Sequence, residues 1–111
     1  MAYDEDLANR IRELLAGEQG VTEMAMFGGL AFLFGGNMAV AASGQGGLLV
    51  RVDPDEGERL LSSPHASAMV MRGREMSGWI RVDAEGVQSK RQLAPWVRRG
   101  MQFARALPAK G

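Results

Sequence analysis

One stretch decides the fold of this chain: Met24-Ala-Met-Phe-Gly-Gly29-Leu-Ala-Phe-Leu-Phe34-Gly-Gly-Asn37-Met-Ala-Val-Ala-Ala-Ser43-Gly-Gln-Gly-Gly47-Leu-Leu-Val-Arg-Val52. No charged residue lies between Glu23 and Arg51. Glycine-rich breaks divide the stretch into apolar segments of strand length, and Gly36-Asn37 is typical of a hairpin turn because both residue types tolerate positive φ. The pattern predicts an antiparallel meander with strands at Thr22 to Phe27, Leu30 to Phe34, Met38 to Ser43 and Leu48 to Val52.

An uncharged stretch of this length can also be a membrane span. A spanning helix needs about 20 consecutive apolar residues, and here the longest unbroken runs are Leu30 to Phe34 and Met38 to Ala42. The chain begins Tyr3-Asp4-Glu5-Asp6, which is acidic, whereas a signal peptide begins with a basic segment. We therefore expect a soluble cytoplasmic protein without a membrane partner.

The composition excludes several kinds of site. The 111 residues include no cysteine and a single histidine, His65, so disulfides, thiolate metal sites and histidine-pair metal sites are excluded. A length of 111 residues suits one domain, which we place at 1–111. The thirteen basic and thirteen acidic side chains balance, and a neutral chain has no overall field to attract a polyanion. The charges are nevertheless uneven, since the chain up to Glu23 is acidic and the chain after Glu85 has no acid.

One helix is predicted on each side of the apolar stretch. The first runs from Asp4 to Ala16, with leucine and isoleucine at helical spacing and Gly17 as the residue that ends it. The second runs from Pro54 to about Leu61, with Leu60 and Leu61 buried. Asp53 is its expected N-cap, and Glu56 lies at the third position of a capping box. Four carboxylates cluster here and could bind a metal: Asp53, Asp55, Glu56 and Glu58. Their spacing is not that of a calcium loop.

The C-terminal part predicts a strand at Ser77 to Val82 and then a long helix. Pro95 is tolerated only near the start of a helix, so we expect regular helix from about Gln92, after a looser turn from Ser89. The apolar face of this helix includes Trp96 and Gly100, and Gly100 allows a close approach to the sheet. Trp79 and Trp96 are both expected to be buried.

Basic residues of the same helix raise the possibility of nucleic-acid binding. Arg91, Arg98 and Arg105 recur every seven residues opposite the apolar face, and Arg99 lies beside them. Such rows bind phosphates, but no aromatic residue is interleaved with the arginines, and a solvated helix face is the favoured explanation.

Several motifs, taken in order, resemble the TfoX N-terminal-domain family. They are Met26-Phe27-Gly28-Gly29, Leu30-Ala31-Phe32-Leu33, Gly36-Asn37-Met38, Leu48-Leu49-Val50-Arg51-Val52, Gly73-Arg74-x-Met76-x-Gly78-Trp79, Leu93-x-x-Trp96-Val97 and Leu107-Pro108. The resemblance implies an α+β fold, with helices packed on an antiparallel sheet. It also implies a connection with the regulation of DNA-uptake competence, and thus with transcription. The motif residues are glycines and core apolar residues, which maintain a fold rather than a chemistry.

The sequence therefore predicts an α+β domain: an antiparallel β-meander sheet flanked by an N-terminal helix, a short middle helix and a long C-terminal helix, with one or two further strands. No catalytic, cofactor-binding or metal-binding residues are predicted. The leading functional hypothesis is a non-enzymatic regulatory or protein-interaction module, monomeric or weakly homodimeric, with a protein partner. The alternative is nucleic-acid binding through Arg91, Arg98, Arg99 and Arg105. An enzyme is the third possibility, with only scattered serines, carboxylates and His65 available.

Overall fold

The structure is a computed structural model that describes residues 3–26 and 28–109. Three α-helices, a short 3-10 helix at Ala84–Val87 and six strands account for most of these residues. The α-helices are α1 (Glu5–Leu14), α2 (Pro54–Leu60) and α3 (Lys90–Ala106). The strands are β1 (Val21–Met26), β2 (Gly29–Phe34), β3 (Asn37–Ala42), β4 (Leu48–Arg51), β5 (Ala66–Met71) and β6 (Arg74–Val82). The predicted α+β class is confirmed. Phe27, the predicted end of the first strand, lies outside the described residues.

All six strands form one antiparallel sheet in the order β1-β2-β3-β4-β6-β5. The first four strands are the predicted meander. After β4 the chain passes through α2, and β5 then takes the outer edge while β6 pairs with β4. Of the last two strands, only β6 was predicted from the sequence. Helix α2 makes this change of order possible, because it carries the chain past the position that β6 occupies.

One face of the sheet, the helix-covered face, holds the larger core. Residues of all three helices meet strand residues there, and the fully buried large side chains include Leu7, Ile11, Phe32, Ile80 and Leu93. Helix α3 contacts β2, β3 and β4, and α2 contacts β6. A Cβ built on Gly100 would lie 2.4 Å from the carbonyl oxygen of Ala39, which confirms the close approach of α3 to the sheet.

The other face of the sheet, the open face, carries a second apolar cluster made of strand residues only. Its buried members are Ala31, Leu33, Met38, Ala41, Leu49 and Met69. Met26, Met71, Met76 and Trp79 are partly buried against them. The prediction that both tryptophans are buried is confirmed for Trp96, which is 8% exposed. It is confirmed only in part for Trp79, which is half-buried on the open face and packed against strand residues.

The turn between β2 and β3 lies one residue earlier than predicted. Gly35 and Gly36 both have positive φ, +59° and +83°, and form the two-residue turn of a hairpin. Asn37 is therefore free to enter β3 opposite Phe34. It is 3% exposed, and its side-chain amide donates a 2.9 Å hydrogen bond to the carbonyl oxygen of Pro108.

The helix ends differ from prediction in three places. Helix α1 stops at Leu14 with Leu15 as its C-cap, and Gly17 is not among the residues of positive φ. Helix α2 buries Leu60, whereas Leu61 is 38% exposed because it lies beyond the last helical turn. Helix α3 begins at Lys90, since Ser89 and Gln92 form a full capping box.

That early start places Pro95 inside α3 rather than in its first turn. Pro95 cannot donate to the carbonyl of Arg91, four residues earlier. Because Arg91 is exposed, water can satisfy that carbonyl and the helix continues.

Candidate functional site

The open face forms a cleft of about 440 Å³ between the end of β1 and the β5–β6 hairpin. Ala41 and Leu49 line its floor from the central strands β3 and β4. Met26 lines it from β1, and Met69 and Met71 line it from β5. Its polar lining comes from Ser43, Gln45, Arg72 and Arg81. The volume lies within the range of ligand-binding pockets, about 300–1,000 Å³.

A large bulge in β6 shapes the hairpin beside this cleft. Ala68 pairs with Ile80 and Val70 pairs with Glu75, so the four residues from Met76 to Trp79 lie opposite Met69 alone. Within the bulge Gly78 has φ +81°, and its carbonyl accepts a 2.8 Å hydrogen bond from the amide of Val52. A Cβ at this glycine would lie 2.6 Å from the Val52 oxygen. The bulge bends the hairpin locally, as such irregularities do.

Methionines dominate the apolar lining of the open face. Five of the eight in the chain belong to its cluster: Met26, Met38, Met69, Met71 and Met76. Methionine is unbranched and polarizable, so a methionine surface can repack around partners of different shape. The face is thus suited to binding an apolar group.

Two arginines add positive charge to the cleft. Arg81 lies on the open face of β6, paired with Leu49 of β4, and one of its guanidinium nitrogens is 3.5 Å from the hydroxyl oxygen of Ser43. Arg72 occupies the hairpin turn with φ +55°, followed by Gly73 with φ +75°. A left-handed conformation costs a non-glycine residue about 1–2 kcal/mol. Neither arginine forms an ion pair with any described residue.

The four arginines predicted to bind nucleic acid lie on α3, away from the cleft. Arg91 and Arg98 are exposed, and the guanidinium of Arg99 stacks 4.9 Å from the ring centroid of Trp96. Arg105 forms an ion pair with Glu18 and lies 5.5 Å from the ring centroid of Phe34.

The acidic N-terminal part of the chain partly neutralises this basic helix. Besides the pair of Arg105 with Glu18, Lys90 of α3 forms an ion pair with Glu13 of α1. The uneven charge of the sequence therefore does not produce two fully separate faces.

The remaining polar residues assemble no further site in the part of the chain that the structure describes. Nδ1 of His65 lies 2.9 Å from a carboxylate oxygen of Asp83. No group of three or more histidine, aspartate or glutamate residues there could hold a metal ion. Among residues 3–26 and 28–109, no helix is long and apolar enough to cross a membrane.

The cleft was not predicted from the sequence. Met69 and Met71 alternate at the period of a strand, and Arg81 alternates with Ile80 and Val82, so part of the signal was present. What was missing was the pairing of β5 with β6, which places these residues on one face.

Two comparisons bear on the identity of the chain. No curated protein matches it significantly. The family model described as the TfoX N-terminal domain matches residues 13–104, which include the end of α1, all six strands, α2 and most of α3. Because this match spans most of the 111 residues, the chain belongs to the TfoX N-terminal domain family.

Proposed function

We propose that this chain is a non-enzymatic regulatory module that acts in the cytoplasm by binding a protein partner through its open face. The observation that carries the proposal is the methionine-rich cluster on a sheet face that, among the described residues, no helix covers. The inner members of this cluster are buried, but Met26, Met71 and Met76 are only partly buried, and apolar groups that remain accessible on a folded domain commonly mark interaction sites. The family's connection with competence regulation supports a regulatory role rather than a catalytic one.

Site-specific photo-crosslinking in living cells tests this function. A photoreactive amino acid is placed at Met71 in the cleft, at Arg98 on α3, or at Leu61 of α2. Leu61 is the control, because it is apolar and 38% exposed but lies outside the cleft. We expect a discrete protein adduct from position 71 and none from position 61. Equal adducts from positions 61 and 71, or none from 71, would contradict a partner on the open face.

A second candidate function is nucleic-acid binding through α3. It is favoured by Arg91, Arg98 and Arg99, none of which forms an ion pair with a described residue. Phosphate contacts weaken steeply between about 50 and 200 mM salt. Binding of a labelled DNA duplex at low salt, lost at physiological salt and reduced by Arg98→Glu, would support this function. Absence of binding at low salt would exclude it.

A further inference from the structure

Strand β5 forms an unprotected edge of the sheet. It has β6 on one side only, so half of its backbone N–H and C=O groups point away from the sheet. Natural proteins protect such edges with charged residues, especially lysine, or with proline, but β5 reads Ala-Ser-Ala-Met-Val-Met and carries neither. Val70 in this strand is 58% exposed.

The opposite edge of the sheet is built differently. Strand β1 carries Glu23, whose carboxylate accepts two hydrogen bonds of 2.8 Å from Arg12 of α1. A charged side chain and a helix contact therefore protect β1. The contrast singles out β5 as the edge open to another strand.

The side chains of β5, the following turn and β6 form a pattern that an added strand could recognise. Ser67, Met69 and Met71 point to the open face, with period two along the strand. Arg81 lies opposite Ser67 in the register, and Arg72 follows Met71 in the turn. The two methionines of β5 thus lie between Arg72 in the turn and the level of Arg81 on the neighbouring strand β6.

We propose that β5 accepts an extended segment of a protein partner as a seventh strand of the sheet. This inference rests on the proposed function and specifies the chemistry of the partner. Main-chain hydrogen bonds to β5 would provide affinity, and side chains at alternate positions would provide specificity. On its cleft side the segment carries two apolar residues next to Met69 and Met71, flanked by Asp or Glu residues. One acid pairs with Arg72 in the turn, and the other reaches across β5 into the cleft to Arg81 of β6, in place of the 3.5 Å contact of Arg81 with Ser43.

A second copy of this chain fits the same edge poorly. If β5 paired antiparallel with β5 of another copy, the hairpin turn of each copy would lie near the opposite end of the other strand. Arg72 of one copy would then approach Arg81 of the other, and like charges facing each other are unfavourable. The edge therefore selects a different, acidic segment.

Selection from a displayed library of random nonapeptides, with the intact protein as bait, tests the proposal. We expect enriched peptides with apolar residues at alternate positions flanked by Asp or Glu. A synthetic peptide of the enriched sequence should bind the double variant Arg72→Glu, Arg81→Glu at least about tenfold more weakly, as for loss of one or more charge-assisted hydrogen bonds. A peptide with lysine in place of its acids should bind that double variant better than it binds the wild-type protein.

The double variant Arg91→Glu, Arg98→Glu on α3 is the matched control, since it makes the same charge change at two exposed positions away from the cleft and should leave binding unchanged. Thermal melting of each variant excludes unfolding as the cause of a loss. The proposal would be overturned by enriched peptides without acidic residues or by no enrichment at all. It would also be overturned if the lysine peptide did not bind the double variant better than the wild-type protein. None of these results affects crosslinking from position 71 to a folded partner, so failure of this inference is distinguishable from failure of the proposed function.

Discussion

Asn37 connects the first hairpin to the end of α3 through one buried hydrogen bond. Replacing it by alanine removes this bond, and since Pro108 is exposed, water can reach its carbonyl, so the cost is that of an ordinary hydrogen bond, about 0.5–1.5 kcal/mol. We expect Asn37→Ala to lower the free energy of unfolding by that order, as measured by urea denaturation. In a chain truncated after Leu107 the acceptor is absent, so the same substitution should cost less. An equal cost in both chains would show that the bond contributes nothing.

Trp96 is the largest side chain that α3 contributes to the core. Replacing a buried tryptophan by alanine costs about 3–5 kcal/mol, against a total stability of about 5–15 kcal/mol for a domain. We expect Trp96→Ala to be marginally folded or unfolded by circular dichroism. Iodide quenching gives an independent measurement, because a Trp79→Phe variant retains only the buried indole and a Trp96→Phe variant only the partly exposed one. Stronger quenching of Trp96 than of Trp79 would contradict the packing of α3.

At the scale of elements, Gly100 sets the distance between α3 and the sheet. A Cβ there would lie 2.4 Å from the Ala39 oxygen, which belongs to the backbone of β3 and cannot simply rotate away. We expect Gly100→Ala to destabilise the domain by about 1–3 kcal/mol through overpacking, despite the gain of up to about 1 kcal/mol in helix propensity. Gly17→Ala is the control, since nothing lies within 4 Å of its added Cβ. Equal melting temperatures for the two variants would mean that α3 can shift without cost.

The start of α2 depends on Asp53, whose carboxylate accepts a 2.9 Å hydrogen bond from the amide of Asp55. Pro54 occupies the first helical position, as predicted. The Asp53 carboxylate bonds to the amide of the second helical residue, not to that of Glu56 at the third, and Glu56 makes no return bond among the described hydrogen bonds. The predicted N-cap is therefore confirmed, and the predicted capping box is wrong. Asp53→Ala should cost about 1 kcal/mol, measured as a shift of the denaturation midpoint. Glu58→Ala, on the exposed side of the same helix, should change it much less.

At the scale of the whole molecule, an ion pair between Arg12 of α1 and Glu23 of β1 links a helix to one edge of the sheet. Hydrogen bonds from Arg12 hold the pKa of Glu23 below its usual value of 4.5. A lowered native pKa means that the pair stabilises the fold above pH 4.5 and that this contribution is lost as the pH falls through the native pKa. We expect Glu23→Gln to melt below the wild-type protein at pH 7 and the difference to vanish in acid.

Both partners are substantially exposed, so the effect at pH 7 should be small and should decrease with salt. Glu58→Gln, which removes an exposed carboxylate without an ion pair, is the control and should show no such pH dependence. A difference that persisted below the native pKa would assign the effect to something other than this ion pair.

The local features of this fold were largely predictable, because they depend on neighbours in the sequence. Glycine spacing located the four strands of the meander, and Asp53-Pro54 located the start of α2. The errors arose where two local signals competed. At the first hairpin three turn-forming residues were available; Gly35-Gly36 makes the turn, and Asn37 enters β3, where its buried amide bonds to the Pro108 carbonyl. At α3 the Ser89–Gln92 capping box outweighs the position of Pro95.

The sequence by itself determined the α+β class, the meander, the core face of α3 and the absence of cysteine chemistry, since periodicity and composition carry these directly. The tertiary structure alone decided that β6 inserts between β4 and β5, because strand order depends on contacts between residues far apart in the chain. That insertion brings Met69, Met71, Arg72 and Arg81 together in the cleft and leaves β5 at the edge. The candidate site is thus a product of strand order, which no local pattern in this sequence encodes.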